Sequence, residues 1–181
     1  EASYDIETFG DLARTYLDAC VQEPVYENGV KLRGMKDHRG VRKIVTNVLV
    51  PKLGARPLTA ITYPELRAFR DLRLSAPKLH GGKKTVETTG KRSIARVNRE
   101  FAALRTILNY GVELRVLDRN PMNAGRGKSL VVLSAETPRE RVMSHDEEKR
   151  LLAAYYDKKL RRSRDFIVAL IDTGMRFSEL S

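Results

Sequence analysis

The sequence contains no tryptophan and a single cysteine, Cys20, and aromatic residues make up only 7% of it. One thiol excludes an intrachain disulfide, and one cysteine with three scattered histidines, His38, His80 and His145, offers no zinc-ligand spacing. So few aromatics favour helices over a β-sandwich, and the expected class is all-α or mostly α. No run approaches the roughly 18 consecutive apolar residues of a membrane-spanning helix, and no signal-peptide pattern opens the chain, so the expected location is cytoplasmic and no membrane partner is expected. Acid is scarce as well. Against 34 Lys and Arg stand 23 Asp and Glu, a formal charge of +11. Such a field gathers polyanions and repels basic partners, which makes nucleic acid the expected partner.

What is present suffices for a core. With 181 residues, 41% of them apolar, the chain can form one large domain or two small ones without disulfide or metal staples. Thr8-Phe9-Gly10-Asp11 resembles a capping box, and Phe9, Leu12, Tyr16 and Leu17 recur at helical spacing behind it, predicting a helix from about 8 to 21. Cys20 shares that face, where a small buried thiol is expected. Pro24 and Asn28-Gly29 end the helix, and a second is expected from about Leu32 to Val50, with Pro51 as its stop. Thr62-Tyr63-Pro64-Glu65 starts a third, to about Leu74. The polar, glycine-rich stretch from Ser75 to about Gly90 reads as an exposed loop that orders on a partner. Ile94, Val97, Phe101, Leu104 and Leu108 then form one apolar stripe on a long fourth helix, about Ser93 to Leu114.

After Asn120-Pro121 the composition becomes linker-like, with a short strand expected at Val131 to Leu133. Ser144-His145-Asp146-Glu147 is another capping box, leading into Leu151, Leu152 and Tyr155, and a last helix runs from about Ser163 to Asp172 with Gly174 able to close it. These signals divide the chain into a helical domain at 1–122, a linker at 123–138 and a second unit at 139–181. The second unit is short for an independent core, so the natural protein is expected to continue past Ser181.

The basic residues are patterned. Lys36, Arg39 and Lys43 fall on one face of the second helix, and Arg92, Arg96 and Arg99 on one face of the fourth, each opposite the apolar stripe. Any amphipathic helix has a solvated polar face, but such faces normally mix signs, and two nearly acid-free stripes point to phosphate contact. Ser93 and Asn98 lie within or beside the second stripe, where they could reach phosphate or a base edge, although a helix N-cap explains Ser93 equally well. Arg141 joins the candidate DNA contacts. Gly125 to Ser129, GRGKS, carries the ending of a phosphate loop, but the position five before Gly127 is Met122, so no nucleotide-triphosphate site is assigned.

Near its end the chain reads DTGMRFSEL, which resembles the Thr-Gly-x-Arg-x-Ser-Glu-Leu box of the tyrosine recombinases, the phage integrase family. Upstream, RERVMSHDEEKRLLAA resembles that family's entry to its catalytic domain, VNREFAALRTILNYGVELRVLDRNPM the closing helix of its core-binding domain, and LVPKLGARPLTAITYPELRAFRD the middle of that domain. The matches run in the family's order over nearly the whole chain. The resemblance implies a four-helix SAM-like core-binding domain followed by the first helices of a recombinase catalytic domain. It also implies an enzyme that cuts and rejoins DNA through a phosphotyrosine intermediate, which needs no metal, ATP or other cofactor. By position in its motif Arg176 corresponds to the first catalytic arginine, whose guanidinium fork would hold both nonbridging oxygens as charge grows on them. Thr173 and Ser178 could bond the backbone around the turn, and Glu179 could orient a cation or cap the next helix.

The family's other catalytic groups would lie beyond Ser181. None of the seven tyrosines, Tyr4, Tyr16, Tyr26, Tyr63, Tyr110, Tyr155 and Tyr156, follows the arginine box, so the sequence as it stands is expected to bind DNA without cutting it. Implied partners are double-stranded DNA at a specific recombination site, further copies of the chain (a monomer when free, a tetramer on synapsed DNA) and accessory DNA-bending or excision factors. The alternatives are a noncatalytic repressor or architectural protein on a similar scaffold, and a ribosome-associated or RNA-binding helical protein suggested by charge alone.

Overall fold

Three capping boxes set where helices begin. The computed structural model describes residues 5–81, 85–124, 129–136, 140–155 and 161–180, and the chain divides into two compact units, 1–136 and 137–181. In the first unit the Thr8 hydroxyl accepts from the Asp11 amide while Asp11 accepts from the Thr8 amide at 3.1 Å, starting α1 at Phe9–Cys20. The Thr8 hydrogen bonds hold the Asp11 carboxyl below its ordinary value, so the cap's contribution is present above the usual carboxylate range and is lost as pH falls.

Beyond α1 the expected second helix starts later than its sequence suggests. Val25–Glu27 (β1) and Val30–Arg33 (β2) form an antiparallel hairpin, turning on Asn28 and Gly29, both at positive φ (49° and 78°). Two consecutive positive φ values match the right-handed twist of strands joined by a two-residue turn, which Asn-Gly adopts cheaply. Helix α2, His38–Ile44, begins where Asp37 accepts from the Gly40 amide. Nor does Pro51 stop the helix. The axis runs on through a π-helical turn, Val45–Leu49, into α3, Val50–Leu53. A proline clashes with the carbonyl four residues back and lacks an N–H, and the wider turn ahead of Pro51 absorbs both defects.

Helix α4, Tyr63–Ser75, follows its capping box as expected. The stretch expected as a loop is a second antiparallel hairpin, Pro77–Gly81 (β3) with Thr85–Lys91 (β4), its second arm rich in β-branched Thr and Val. Helix α5, Ile94–Glu113, is capped by Ser93 and carries the main stripe inward: Val97, Phe101, Leu104, Ile107 and Leu108 are fully buried. They pack with Phe9 and Leu12 of α1, Val45 and Leu49, and Leu66 and Phe69 of α4. Gly111 lets α1 approach: a Cβ there would stand 2.9 Å from Leu12 Cδ2. Cys20 departs from expectation, since it is exposed in the last turn of α1 although Val21 beside it is buried. Partial burial, then the Glu113 carboxylate, pushes its thiol pKa up.

The segment expected as a linker is partly docked. Met122 and Leu130 are buried in the first unit's core, and Leu133–Ala135 forms a 3-10 turn in place of the expected strand. Asn98 explains the turn, because it satisfies the Val132 backbone that a strand partner would otherwise pair. Gly125 to Lys128, Pro138, Tyr4 and Tyr156 lie outside the described residues.

The second unit holds α6, His145–Ala154, capped by the Ser144 and Glu147 pair, then α7, Arg161–Thr173, and a short α8, Phe177–Leu180. Phe166 meets Phe177 edge to face at 5.0 Å, tying α8 to α7. The described protein is thus mostly helical, and no described helix is long and apolar enough to cross a membrane.

Phe101, fully buried and 5.6 Å from Phe69, lies at the centre of the first core. Phe101→Ala is expected to cost about 3–5 kcal/mol, read as a lowered midpoint in denaturant with an unchanged slope.

Candidate nucleic-acid interface

The first basic group stands open. Lys36 sits in the turn before α2, Arg39 and Lys43 on α2, all exposed, and β2 adds exposed Lys31 and Arg33 just upstream, which the helical reading of this stretch missed. Arg39 reaches Glu23 at 3.7 Å, but both are largely exposed, and such a pair restrains the guanidinium weakly. Arg42, between them in sequence, is occupied structurally: its guanidinium donates to the carbonyls of Leu17 and Val21 at the end of α1.

The second group is not the acid-free stripe expected. Arg92, Arg96 and Glu100 recur every four residues, and Glu100 is fully buried. Arg73, from the last turn of α4, grips Glu100 with both prongs, Nε to Oε2 at 2.8 Å and Nη2 to Oε1 at 2.7 Å. Arg96 Nε lies 3.4 Å and Arg92 Nη1 3.9 Å from the same Oε1. Arg92 is only 15% exposed, while Arg96 is 52% exposed. Burial, with the neighbouring Arg73 next in weight, lowers the Arg92 pKa from its ordinary value. Arg99, one turn on, is exposed and pairs with no described acid.

Asn98 is not available to a base or a phosphate. It is 2% exposed, donates to the Val132 carbonyl at 2.8 Å and to Glu136 at 2.7 Å, and accepts from the Val132 amide at 3.0 Å. Ser93 is the N-cap of α5. Arg141 is exposed and held by Glu147, the acid of the α6 capping box.

In the second unit the chain leaves α7 through Gly174 at φ 65°, the left-handed closure its glycine suggested. The Gly174 amide still bonds the Leu170 carbonyl, and the Thr173 hydroxyl accepts from the Met175 amide at 3.3 Å. Arg176 follows, its side chain 84% exposed. Glu179 does two things there: one oxygen accepts from the Arg176 amide at 2.8 Å, opening α8, and the other stands 3.4 Å from its guanidinium. The turn therefore presents an exposed guanidinium whose backbone is fixed and whose charge is only partly countered.

Comparison of the chain with protein-family models, with curated proteins and with solved structures gives no match.

Removing Glu100 leaves three clustered guanidinium groups without their shared carboxylate. Glu100→Ala is expected to destabilise the first unit by about 3–5 kcal/mol, whereas truncating the half-exposed Arg96 costs no more than about 1 kcal/mol, both measured by chemical denaturation. Asn98→Ala should free the Val132 amide, seen as faster hydrogen exchange there than at Leu104, which the core still protects.

Proposed function

We propose that this chain is the DNA-binding portion of a site-specific tyrosine recombinase: a SAM-like core-binding domain in the first unit and the opening helices of the catalytic domain in the second. The observation that carries the reading is the segment Asp172 to Leu180, in which a left-handed glycine, a hydroxyl on the turn and an acid three residues on hold one exposed arginine. That arrangement suits an arginine whose task is to meet an anion rather than to stabilise the fold. A planar fork can contact two oxygens of one phosphodiester, and a fixed backbone lowers the entropy lost on engaging it. Its role in this reading is to stabilise charge on the scissile phosphate during attack by a tyrosine hydroxyl.

The first unit supplies affinity. Lys31, Arg33, Lys36, Arg39 and Lys43 are exposed along one continuous stretch of chain, and Arg96 and Arg99 open α5. Together with the excess of eleven positive charges they favour a duplex, whose phosphates are dense enough to bind through released counterions. Beside these basic faces one exposed aromatic is described, Tyr26, cross-strand from Lys31, and a single ring is less than the stacking platform that unpaired bases call for, which argues against single-stranded RNA as the ligand.

The test is a titration of duplex DNA at several salt concentrations. Replacing Lys36, Arg39 and Lys43 by Gln is expected to flatten the log–log salt slope by about 0.9 per lost phosphate contact. An unchanged slope would remove this face from the interface. Arg176→Ala should leave duplex affinity close to that of the parent, because many other cations supply it. Where the whole catalytic set is present, the same change should lower formation of the covalent protein–DNA adduct on the order of 10²–10³-fold, with Arg176→Lys also severely impaired. Adduct formation at the parent rate would reduce Arg176 to a surface charge.

A further inference from the structure

The cluster around Glu100 carries more positive charge than its own acid can balance. Three guanidinium groups face one carboxylate, and Arg73 already takes both of its oxygens at 2.7 and 2.8 Å. What remains for Arg92 and Arg96 is a share of Oε1 at 3.9 and 3.4 Å, and no other described acid pairs with either. Arg92 Nε is buried without an acceptor among the described residues. Unpaired buried donors and like charges held together are both costly, so a purely structural pair would need Arg73 and Glu100 alone.

We propose that Arg92 and Arg96 form a seat for one backbone phosphate of duplex DNA, with Arg73 and Glu100 as the fixed base that positions them. The cluster's placement supports this: Arg92 is anchored by its own amide to the Ala76 carbonyl at the root of the β3–β4 hairpin, and Arg96 stands in the first turn of α5 with half its surface open. An anion between the two brings the missing charge, and two guanidinium groups can offer a phosphate several directed donors at once. Glu100 keeps both side chains in place before the anion arrives, so little rotamer freedom is lost on binding. Arg99, open and unpaired among the described residues, lies alongside for an adjacent phosphate. The inference rests on the duplex-binding reading above and assigns a specific contact within it.

The experiment is a salt titration of binding to a short duplex of arbitrary sequence, using the whole chain and checking each variant's fold by circular dichroism. Arg96→Gln, half-exposed and therefore tolerated by the fold, is expected to lower the slope by about 0.9, the value of one phosphate contact, while Arg96→Lys keeps the slope. Arg105→Gln, which removes an exposed charge of the same helix outside the cluster, is expected to leave it unchanged. A parent-like slope in Arg96→Gln overturns the seat while leaving duplex binding by the protein intact. An equal fall in Arg105→Gln assigns the effect to diffuse charge and overturns it as well. If the parent chain fails to bind the duplex, or prefers an RNA of the same length, the duplex reading falls and takes the seat with it.

Discussion

A carboxylate with no exposure to water can exist only where cations and donors replace its lost hydration, and Glu100 meets that condition through Arg73. The pair joins the last turn of α4 to the second turn of α5, between which the whole β3–β4 hairpin is inserted. Its two-pronged geometry fixes the relative placement of those turns more narrowly than apolar contact alone would. The apolar core, with Phe69 against Phe101 and with Leu66 and Leu104 fully buried, supplies most of the stability. The ion pair supplies direction, and it also determines where Arg92 and Arg96 stand.

Around the same helix, asparagines do for the backbone what Glu100 does for charge. Asn98 clasps Val132, and Asn120 donates to Asn109 and to the Arg105 carbonyl while its own oxygen accepts from the Met122 amide. Chain that composition marks as a linker is thereby drawn onto α5 as far as Glu136. Buried amides of this kind are satisfied on both donor and acceptor sides, which is why they can be tolerated in a core.

Much of this was legible from local chemistry. The boxes at Thr8, Thr62 and Ser144 and the glycine at 174 mark helix ends whose hydrogen bonds close within three or four residues, and the apolar stripe of α5 has one period throughout. What failed depended in one place on a local turn and elsewhere on partners distant in sequence. The valine and leucine beside Asn28-Gly29 fit a helical face as well as a strand, and only the turn's positive φ values decide between them. Arg92 and Arg96 read as part of an acid-free stripe because Arg73, which turns Glu100 into their common base, comes from α4, and Asn98 reads as a surface donor because Val132 lies thirty-four residues on. Around Arg176 the chemistry is local again, and the turn and the role of Glu179 follow the sequence closely.

The proposal these features support is that the exposed cations of the stretch from Lys31 to Lys43 and of the start of α5 meet the phosphates of a duplex. Amide hydrogen exchange of the chain with and without a short DNA duplex tests it most directly. Slowed exchange concentrated in residues 31–46 and 92–99 is the expected result. Slowed exchange confined to residues outside both stretches, with these unchanged at saturating DNA, would contradict it.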